Sequence, residues 1–299
     1  MNSIKPWILA ARPKTLLATL APIIVGLSLS YKISGTINWP LSLMIILSAL
    51  LLQIGSNYAN DAYDFLRGAD SQSRKGPQRM VQKGTLSVSG VLNAMYFIFI
   101  VSVIIGYFLA KIGGWPIVIV GLSSIIFAII YTGGPYPLAY NGLGDITVFI
   151  FFGLIATSGT VYLQLINLNI HINDFIREIF IVSSGVGCLN TAILVVNNLR
   201  DIDSDKLANK RTLAVKFGSK FACYEFAILL IINSLCYCWL AYIWKNYILI
   251  YAAMLIAFLS FILIYKVFKF KNANLNKVLE HTAQLSFLSS ILFFVAVII

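Results

Sequence analysis

The 299-residue chain has little charge, since only 11% of its residues are Asp, Glu, Lys or Arg. Soluble domains carry about 25% charged residues, which they need to cover their surface. Hydrophobic residues make up 59% of this chain. Such a composition excludes an ordinary soluble domain and predicts an integral membrane protein whose surroundings are a lipid bilayer.

Cysteine is also scarce, and the four cysteines follow no metal-binding or disulfide pattern. Cys188, Cys236 and Cys238 lie inside apolar runs, and Cys223 begins one. Cys236 and Cys238 are two residues apart, so on a helix they point to different faces. These spacings match neither a zinc site nor a secreted disulfide framework. The cysteines are therefore interpreted as small apolar side chains.

Acidic residues number 11 against 22 basic ones, which leaves a net charge of +11. Such an excess can indicate nucleic-acid binding. Here, however, the basic residues lie in short loops between long apolar runs, which is typical of membrane topology. Cationic loops also suit anionic lipid headgroups. We therefore expect no nucleic-acid partner.

Nine apolar runs are long enough to cross, or nearly cross, a bilayer. Their hydrophobicity is continuous rather than alternating, which predicts helices. The predicted fold is an all-α integral membrane bundle of about nine transmembrane helices, in a single domain over residues 1–299. The predicted spans are 15–31, 39–59, 91–110, 115–131, 146–166, 179–198, 222–243, 246–265 and 283–299.

The loops divide the basic residues unequally between the two sides of the membrane. With nine spans, 18 of the 22 Lys and Arg residues fall on the side of the N-terminus. Positively charged loops face the cytoplasm. We therefore expect the cytoplasmic (inner) membrane, a cytoplasmic N-terminus and an external C-terminus. The first apolar run is expected to be a retained span, since no cleavable signal peptide is evident.

Two clusters of Asp and Asn stand out because the chain has so little acid. They occupy residues 57–64 and 197–205, each at the end of an apolar run and both on the predicted cytoplasmic side. Either cluster alone would also suit a solvated helix end. Two clusters on one side favour a shared site. The side chains concerned are Asn57, Asn60, Asp61, Asp64, Asn197, Asp201, Asp203 and Asp205, with Asp70 nearby.

The spacing within each cluster predicts a common helix face. Asn57, Asp61 and Asp64 stand at i, i+4 and i+7. In the second cluster, Asn197, Asp201 and Asp205 stand at i, i+4 and i+8, which also share one helix face. Two such faces opposite each other would supply the oxygen ligands that Mg²⁺ prefers, and the metal would stabilise a departing diphosphate. The predicted catalytic and metal-binding residues are Asp61, Asp64, Asp201 and Asp205, with Asp70 as a further candidate ligand.

Basic side chains near the clusters are candidates for diphosphate recognition. Arginine forks and lysine ammonium groups both bind phosphate oxygens. The alternative is that these charges only set the membrane topology. The polar side chains predicted to bind substrate are Asn57, Asn60, Asn197, Arg12, Lys14, Arg79, Lys83, Arg200 and Lys210.

A third unusual segment, residues 131–145, is rich in Gly, Pro and Tyr. Gly and Pro favour a tight, irregular path, and tyrosine rings can face a cation. Tyr136 and Tyr140 are predicted to contact substrate. Asp145 is predicted to be catalytic, either touching an aromatic acceptor or assisting a proton transfer. The alternative is an interfacial tyrosine loop without a catalytic role.

These motifs resemble those of the UbiA-type intramembrane prenyltransferases over almost the whole chain. Many relatives carry a further Asp four residues after Asp64, where this chain has Gly68. That departure favours the subfamily that serves menaquinone biosynthesis. The resemblance rests on Asn60-Asp61-x-x-Asp64 and Asp201-x-x-x-Asp205, supported by Ala11-Arg12-Pro13-Lys14-Thr15, Gly76-Pro77-x-Arg79, Tyr131-Thr132-Gly133-Gly134-Pro135 and Lys210-Arg211-Thr212-Leu213-Ala214.

The resemblance implies a Mg²⁺-dependent transfer of a polyprenyl group from polyprenyl diphosphate to 1,4-dihydroxy-2-naphthoate, with decarboxylation to demethylmenaquinone. The diphosphate would lie on Mg²⁺ between the Asp clusters, and the tail in an apolar tunnel. Alternative acceptors on the same scaffold are 4-hydroxybenzoate, homogentisate and haem. From a different class, a membrane cation transporter also carries acids, although these lie nearer the bilayer midplane.

Overall fold

The computed structural model describes residues 4–69, 76, 79–166 and 168–299, apart from the side chain of Lys14. Within these residues all regular structure is helical. Eight helices are long and apolar enough to cross a membrane, and the apolar helix Trp115–Ile130 adds a ninth of 16 residues. The predicted all-α membrane bundle of about nine helices is thus confirmed for the described part of the chain.

The helices extend beyond most of the predicted spans, because hydropathy detects only the apolar part of each. The third helix continues from the predicted end at residue 59 to Leu66 and carries the first Asp cluster with it. In chain order the helices are α1 (Lys5–Ala11), α2 (Pro13–Ser34), α3 (Trp39–Leu66), α4 (Val88–Gly113), α5 (Trp115–Ile130), α6 (Gly144–Ile166, π-helical over Ile150–Ile155), α7 (Ile176–Arg200), α8 (Ile202–Leu207), α9 (Leu213–Phe217), α10 (Ser219–Trp244), α11 (Tyr247–Lys269) and α12 (Leu275–Ile298).

Local sequence signals set several helix starts. The side chain of Asn38 accepts a hydrogen bond from the Leu41 N–H at 3.1 Å before α3, and Ser87 does the same for Gly90 before α4. These are N-caps, which satisfy an otherwise unpaired backbone donor. Arg12 separates α1 from α2 with a left-handed φ of 53°. The chain therefore turns sharply at Arg12 and aims its side chain toward the bundle.

Polar loops that are distant in sequence meet at one end of the bundle. The Thr132 hydroxyl donates to Asn60 Oδ1 at 2.9 Å, and the Arg211 N–H donates to the Tyr140 carbonyl at 3.0 Å. These contacts bring both Asp clusters and the Gly/Pro/Tyr segment together, as the predicted nine-span order requires. We call this the polar end, which comprises residues 57–69, 79–81, 131–145 and 197–213, with Arg12 beside them.

The turns between the other helix termini meet at the opposite end. The Asn38 N–H donates to Gln164 Oε1 at 3.0 Å. The Tyr162 hydroxyl donates to the Gly113 carbonyl at 2.8 Å. The end of α4 and the last turns of α6 therefore lie at one level, far from the polar end.

Close backbone contact ties α6 to α7 beside the functional site. In lipid, helices associate through tight packing and hydrogen bonds rather than hydrophobic burial. A Cβ added to Gly153 would lie 2.5 Å from Gly187 Cα, so the two backbones touch. The Asn190 amide of α7 donates to the carbonyls of Ala18 and Phe152, each at 3.1 Å. Phe152 lies in the π-helical turn of α6, a geometry often found at functional sites.

Candidate active site

A cavity of about 400 Å³ runs from the polar end into the apolar interior of the bundle. Its deeper walls are apolar and come from α2 to α6, including Ile23, Ile45, Leu109, Ile117 and Leu163. Eight residues singled out in the sequence line its polar part. They are Arg12, Asn57, Asn60, Asp64, Arg79, Asp145, Asn197 and Lys210.

Asp64 is the carboxylate of the first cluster that faces the cavity. It forms a buried ion pair with Arg79, at 2.5 Å between Oδ2 and Nη2. The Tyr140 hydroxyl donates to its other oxygen at 2.7 Å. Arg79 also donates to the carbonyl of Asn60. Three separate segments therefore hold one carboxylate and one guanidinium at the cavity wall.

Asp61 points away from the cavity lining. It is 1% exposed and accepts hydrogen bonds from the N–H groups of Met80 and Val81, at 3.2 and 3.4 Å. These residues form the turn that follows Arg79. Asp61 therefore stabilises the segment that delivers Arg79, and the two acidic residues of α3 have different local roles.

The second cluster does not lie on one regular helix, contrary to the spacing argument. α7 ends at Arg200, and Asp201 is the residue between α7 and α8, with φ −95° and ψ 10°. The Arg200 guanidinium donates to both oxygens of Asp201, at 2.8 and 2.5 Å, and to Asn197 Oδ1 at 2.7 Å. The Arg200 side chain therefore ties Asn197 to Asp201 at the point where α7 ends.

Asp205 lies on the far side of this break, near Lys210. The Lys210 ammonium is 3.8 Å from Asp205 and 5.5 Å from the centre of the Tyr140 ring. Lys210 also lines the cavity. Lys210 therefore lines the cavity, whereas Asp205, its ion-pair partner, does not.

Asp145 is a buried acid at the start of α6. It is 5% exposed and lines the cavity, and neither carboxylate oxygen has a hydrogen-bond partner among the described residues. An unpaired buried carboxylate is costly unless something else supplies donors. Its setting is thus suited to receiving a hydroxyl or a cation from a bound molecule.

Tyr131 joins the three acids that approach the cavity. Burial raises the pKa of its hydroxyl above the ordinary value, and the nearby charges of Asp145, Asp64 and Asp205 raise it further, while Arg12 lowers it. The hydroxyl therefore stays protonated near neutral pH. It is a hydrogen-bond donor at the point where the acidic clusters meet.

The donor set fits Mg²⁺ only in a shared site. Within the described ranges, no group of three or more His, Cys, Asp and Glu side chains converges on one point. Mg²⁺ usually keeps several waters and uses one or two carboxylates together with substrate phosphates. This pattern fits better than a closed protein cage. The metal ligands from the protein would be Asp64 and the amide oxygens of Asn57 and Asn197, and the basic Arg79 and Lys210 would contact the phosphate.

Several predicted site residues lie outside the cavity lining. Lys83 is exposed, and Tyr136 is 62% exposed in a shallow pocket beside Arg67 and Arg211. Tyr140 acts on the cavity through Asp64. Asp70 and the side chain of Lys14 lie outside the described residues. The other predicted residues that do not line the cavity are Asp61, Arg200, Asp201 and Asp205.

Other lining residues were missed as site residues in the sequence. Asn190 stands seven positions before Asn197, two turns back on the same face of α7, and lines the cavity. A polar residue inside an apolar run is the signal that identifies it. Phe127 and Phe151 also line the cavity, with ring centroids 4.8 Å apart. Aromatic residues are frequent throughout this chain, so no sequence signal distinguishes these two.

The chain belongs to the UbiA prenyltransferase family, which matches residues 19–291. It is therefore a multi-pass membrane prenyltransferase. It is 37% identical over 267 residues to 1,4-dihydroxy-2-naphthoate octaprenyltransferase of Haemophilus influenzae, covering 86% of this chain and 84% of the relative. It is 38% identical to the protein of that name from Mycobacterium leprae, covering 73% and 71%.

Solved structures agree with the fold. A UbiA homolog from Archaeoglobus fulgidus bound to GPP and Mg²⁺ superposes with a TM-score of 0.72 at 15% sequence identity, covering 98% of this chain and 100% of the homolog. At that identity the likeness supports the helical architecture alone. The identity of the substrates must come from the site and from the sequence relatives.

Proposed function

We propose that this protein transfers a polyprenyl group from polyprenyl diphosphate to 1,4-dihydroxy-2-naphthoate, with Mg²⁺ and with loss of the acceptor's carboxylate. The observation that carries the proposal is one cavity that joins charged groups, the buried Asp64 and Arg79 and the partly buried Lys210, to an apolar interior. Such a cavity suits a molecule with an anionic head and a long hydrocarbon tail. The names of the relatives support the naphthoate acceptor.

Membrane placement and domain organisation form part of the same proposal. The site faces the cytoplasm, the N-terminus is cytoplasmic and the C-terminus external, because 18 of the 22 basic residues lie on that side. We place the chain in the cytoplasmic membrane as a single domain over residues 1–299. Soluble Mg²⁺ and the acceptor would then enter from the polar end.

The diphosphate binds at the polar end of the cavity. Arg79, Lys210 and Arg12 supply cationic donors, and charge-assisted hydrogen bonds to phosphate are the strong ones. Asp64 and the amides of Asn57 and Asn197 would hold Mg²⁺ on the phosphate side. When bound, Mg²⁺ neutralises the negative charge that develops on the departing diphosphate.

The allylic end of the tail lies next to aromatic side chains. Phe127 and Phe151 form a contacting pair in the wall, and Tyr131 follows at the end of α5. Their ring faces favour positive charge as the carbon–oxygen bond to diphosphate breaks. The apolar wall also excludes water, which would otherwise consume the allylic cation.

Asp145 positions the acceptor. Its unpartnered oxygens accept a hydrogen bond from a ring hydroxyl of the dihydroxynaphthoate, which enriches the electron density of the ring. A ring carbon bonds to the first carbon of the prenyl group, diphosphate leaves, and carbon dioxide leaves from the ring. The hydroxyl keeps its proton at the end, so the product is the quinol form of demethylmenaquinone.

A competition assay tests this function. Purified protein in detergent receives Mg²⁺, one polyprenyl diphosphate and an equimolar mixture of 1,4-dihydroxy-2-naphthoate and 4-hydroxybenzoate. We expect a prenylated naphthoquinone as the main product by mass spectrometry. A prenylated benzoate would overturn the acceptor but keep the reaction class. Absence of both products from folded protein would overturn the proposal.

The role of Asp145 has a separate test. Asp145→Asn keeps the volume of the side chain but weakens the hydrogen-bond acceptor, so we expect kcat to fall about 100-fold, in the usual range for loss of a preorganised electrostatic contact. KM for the diphosphate should change little. Asp203→Asn, at an exposed position of the second cluster, is the matched control. Full turnover in Asp145→Asn would exclude this role.

A further inference from the structure

Three glycines in the apolar part of the cavity are unlike the other glycines of the bundle. Gly106, Gly121 and Gly159 lie on α4, α5 and α6 and line the cavity. A Cβ added to any of them would meet no atom within 4 Å. Their φ angles are ordinary, so the backbone does not require glycine.

Most other glycines within the described helices are required by close packing. A Cβ at Gly55 would lie 2.3 Å from Phe99, and one at Gly26 would lie 2.8 Å from Thr160. In lipid, such glycines let helices approach each other. Gly106, Gly121 and Gly159 serve no such contact, and glycine lowers helix stability relative to alanine. The effect of these three glycines is therefore to leave open space in the cavity where a side chain would otherwise project.

All three face inward. On α4, Ser102 and Leu109 flank Gly106 at i−4 and i+3, and both are buried. That spacing places the three on one side of the helix. The corresponding neighbours on the other two helices also line the cavity. They are Ile117 and Ser124 around Gly121, and Ile155 and Leu163 around Gly159.

The three glycines also lie at similar depth. A Cβ on Gly113 would touch Ile117 and Leu163, so these positions of α4, α5 and α6 share one level. With a rise of 1.5 Å per residue, Gly121 and Gly159 lie about 6 Å from that level and Gly106 about 10 Å. They form one band within about a turn. We call Gly106, Gly121 and Gly159 the glycine ring.

The glycine ring lies deep relative to the charged groups. Gly121 precedes Tyr131, at the polar end, by ten residues of α5, which is about 15 Å along the helix axis. The short tail of geranyl diphosphate, anchored at the polar end, ends before the ring. A long polyprenyl tail must pass through it.

We propose that the glycine ring determines which prenyl tails the enzyme accepts, by leaving a passage for long tails. The inference rests on the proposed function, because it assumes a prenyl diphosphate in the cavity. Side chains at these positions would project into the passage and obstruct a long tail. They would leave the head group and the first isoprene units untouched.

Donor selectivity in Gly121→Leu tests the proposal. We would measure kcat/KM with octaprenyl diphosphate and with geranyl diphosphate, using 1,4-dihydroxy-2-naphthoate as acceptor. We expect the long-to-short ratio to fall at least about tenfold, since a misfitting methylene group alone can cost that much. Ile119→Phe, a lipid-facing change on the same helix, should leave the ratio unchanged. An unchanged ratio in Gly121→Leu would overturn the proposal.

A ratio taken within one variant does not depend on the amount of folded protein. If Gly121→Leu does not fold, the triple change of Gly106, Gly121 and Gly159 to Ala replaces it, because each added Cβ meets open space. A smaller fall of the ratio in the same direction is then expected. An equal loss with both donors would contradict the proposal.

A binding measurement separates this inference from the proposed function. Thermal stabilisation of the detergent-solubilised protein by each diphosphate in Mg²⁺ needs no turnover. Gly121→Leu should lose the shift given by octaprenyl diphosphate and keep that given by geranyl diphosphate. If Gly121→Leu shows this tail dependence but wild-type protein forms no product, only the proposed acceptor is rejected. Equal shifts with both diphosphates in wild type and variant would reject the glycine ring.

Discussion

The two ends of the cavity are built in opposite ways. At the polar end, charged and polar side chains line the cavity, and Asp64, Arg79 and Tyr140 hold one another in place. At the apolar end, the shape comes from missing side chains at the glycine ring. Breaking a bond to diphosphate needs fixed charges, whereas accepting a tail needs room. The polar end should therefore govern the rate with every donor, and the apolar end the choice among donors.

Asp64→Asn should give the largest effect. It removes the carboxylate that faces the cavity and takes the negative charge away from the buried Arg79 guanidinium. We expect turnover to fall by about 100-fold to 1000-fold, as for other preorganised electrostatic groups. The loss should be the same with octaprenyl and geranyl diphosphate. Steady-state rates with both donors measure it.

Asp203→Asn serves as the control for this prediction, since the residue lies in the second cluster but is exposed. Its activity should stay within about twofold of wild type. A loss in Asp64→Asn that differs between the two donors would contradict this division of roles, because the polar end would then also discriminate between long and short tails.

Lys210→Met should have an intermediate effect, and Lys83→Met almost none. The sequence predicts both lysines to bind the diphosphate, but only Lys210 lines the cavity, and Lys83 is exposed. A hydrogen bond to a charged group contributes about 1.5–3 kcal/mol, so we expect kcat/KM for the diphosphate to fall about 10-fold to 100-fold in Lys210→Met. Equal losses in both variants would show that charge on this face matters more than position.

Tyr140→Phe should have the smallest effect at the polar end. It removes one 2.7 Å hydrogen bond to Asp64 while the Arg79 pair remains. A hydrogen bond to a charged group contributes about 1.5–3 kcal/mol, and because the Arg79 pair still holds Asp64 we expect the lower end of that range, a loss of about tenfold in kcat/KM. Tyr136→Phe is the matched change on the same loop at an exposed ring. The ordering is wrong if Tyr136→Phe is the more damaged variant.

The polar end was largely predictable from sequence, because acids are rare in this chain. Asn57, Asp64 and Asn197 line the cavity, whereas Asp61, which the spacing places on the same face as Asn57 and Asp64, does not. It accepts backbone hydrogen bonds from the segment after Arg79 instead, and the helical spacing contains no information about that segment. α7 ends at Arg200, so the second cluster does not continue on one regular helix. The spacing argument assumes a continuous helix and contains no information about where the helix ends.

The apolar end was not predictable in the same way. The chain has 20 glycines, and sequence alone does not separate one that permits close packing, such as Gly55, from one that leaves space, such as Gly121. The difference depends on which neighbouring helix faces each position. The approximate number of apolar helices and the all-α fold were accessible, since they depend on hydropathy along the chain.

The most direct test of the central claim is the Mg²⁺ dependence of turnover in wild type and Asp64→Asn. Prenylated product and inorganic diphosphate would be measured together, first in EDTA and then across a Mg²⁺ titration. The account predicts no turnover in EDTA, equal amounts of the two products in Mg²⁺, and a Mg²⁺ requirement at least about tenfold higher in Asp64→Asn. Turnover without metal, or an unchanged Mg²⁺ requirement in the variant, would contradict a metal–diphosphate site at the polar end.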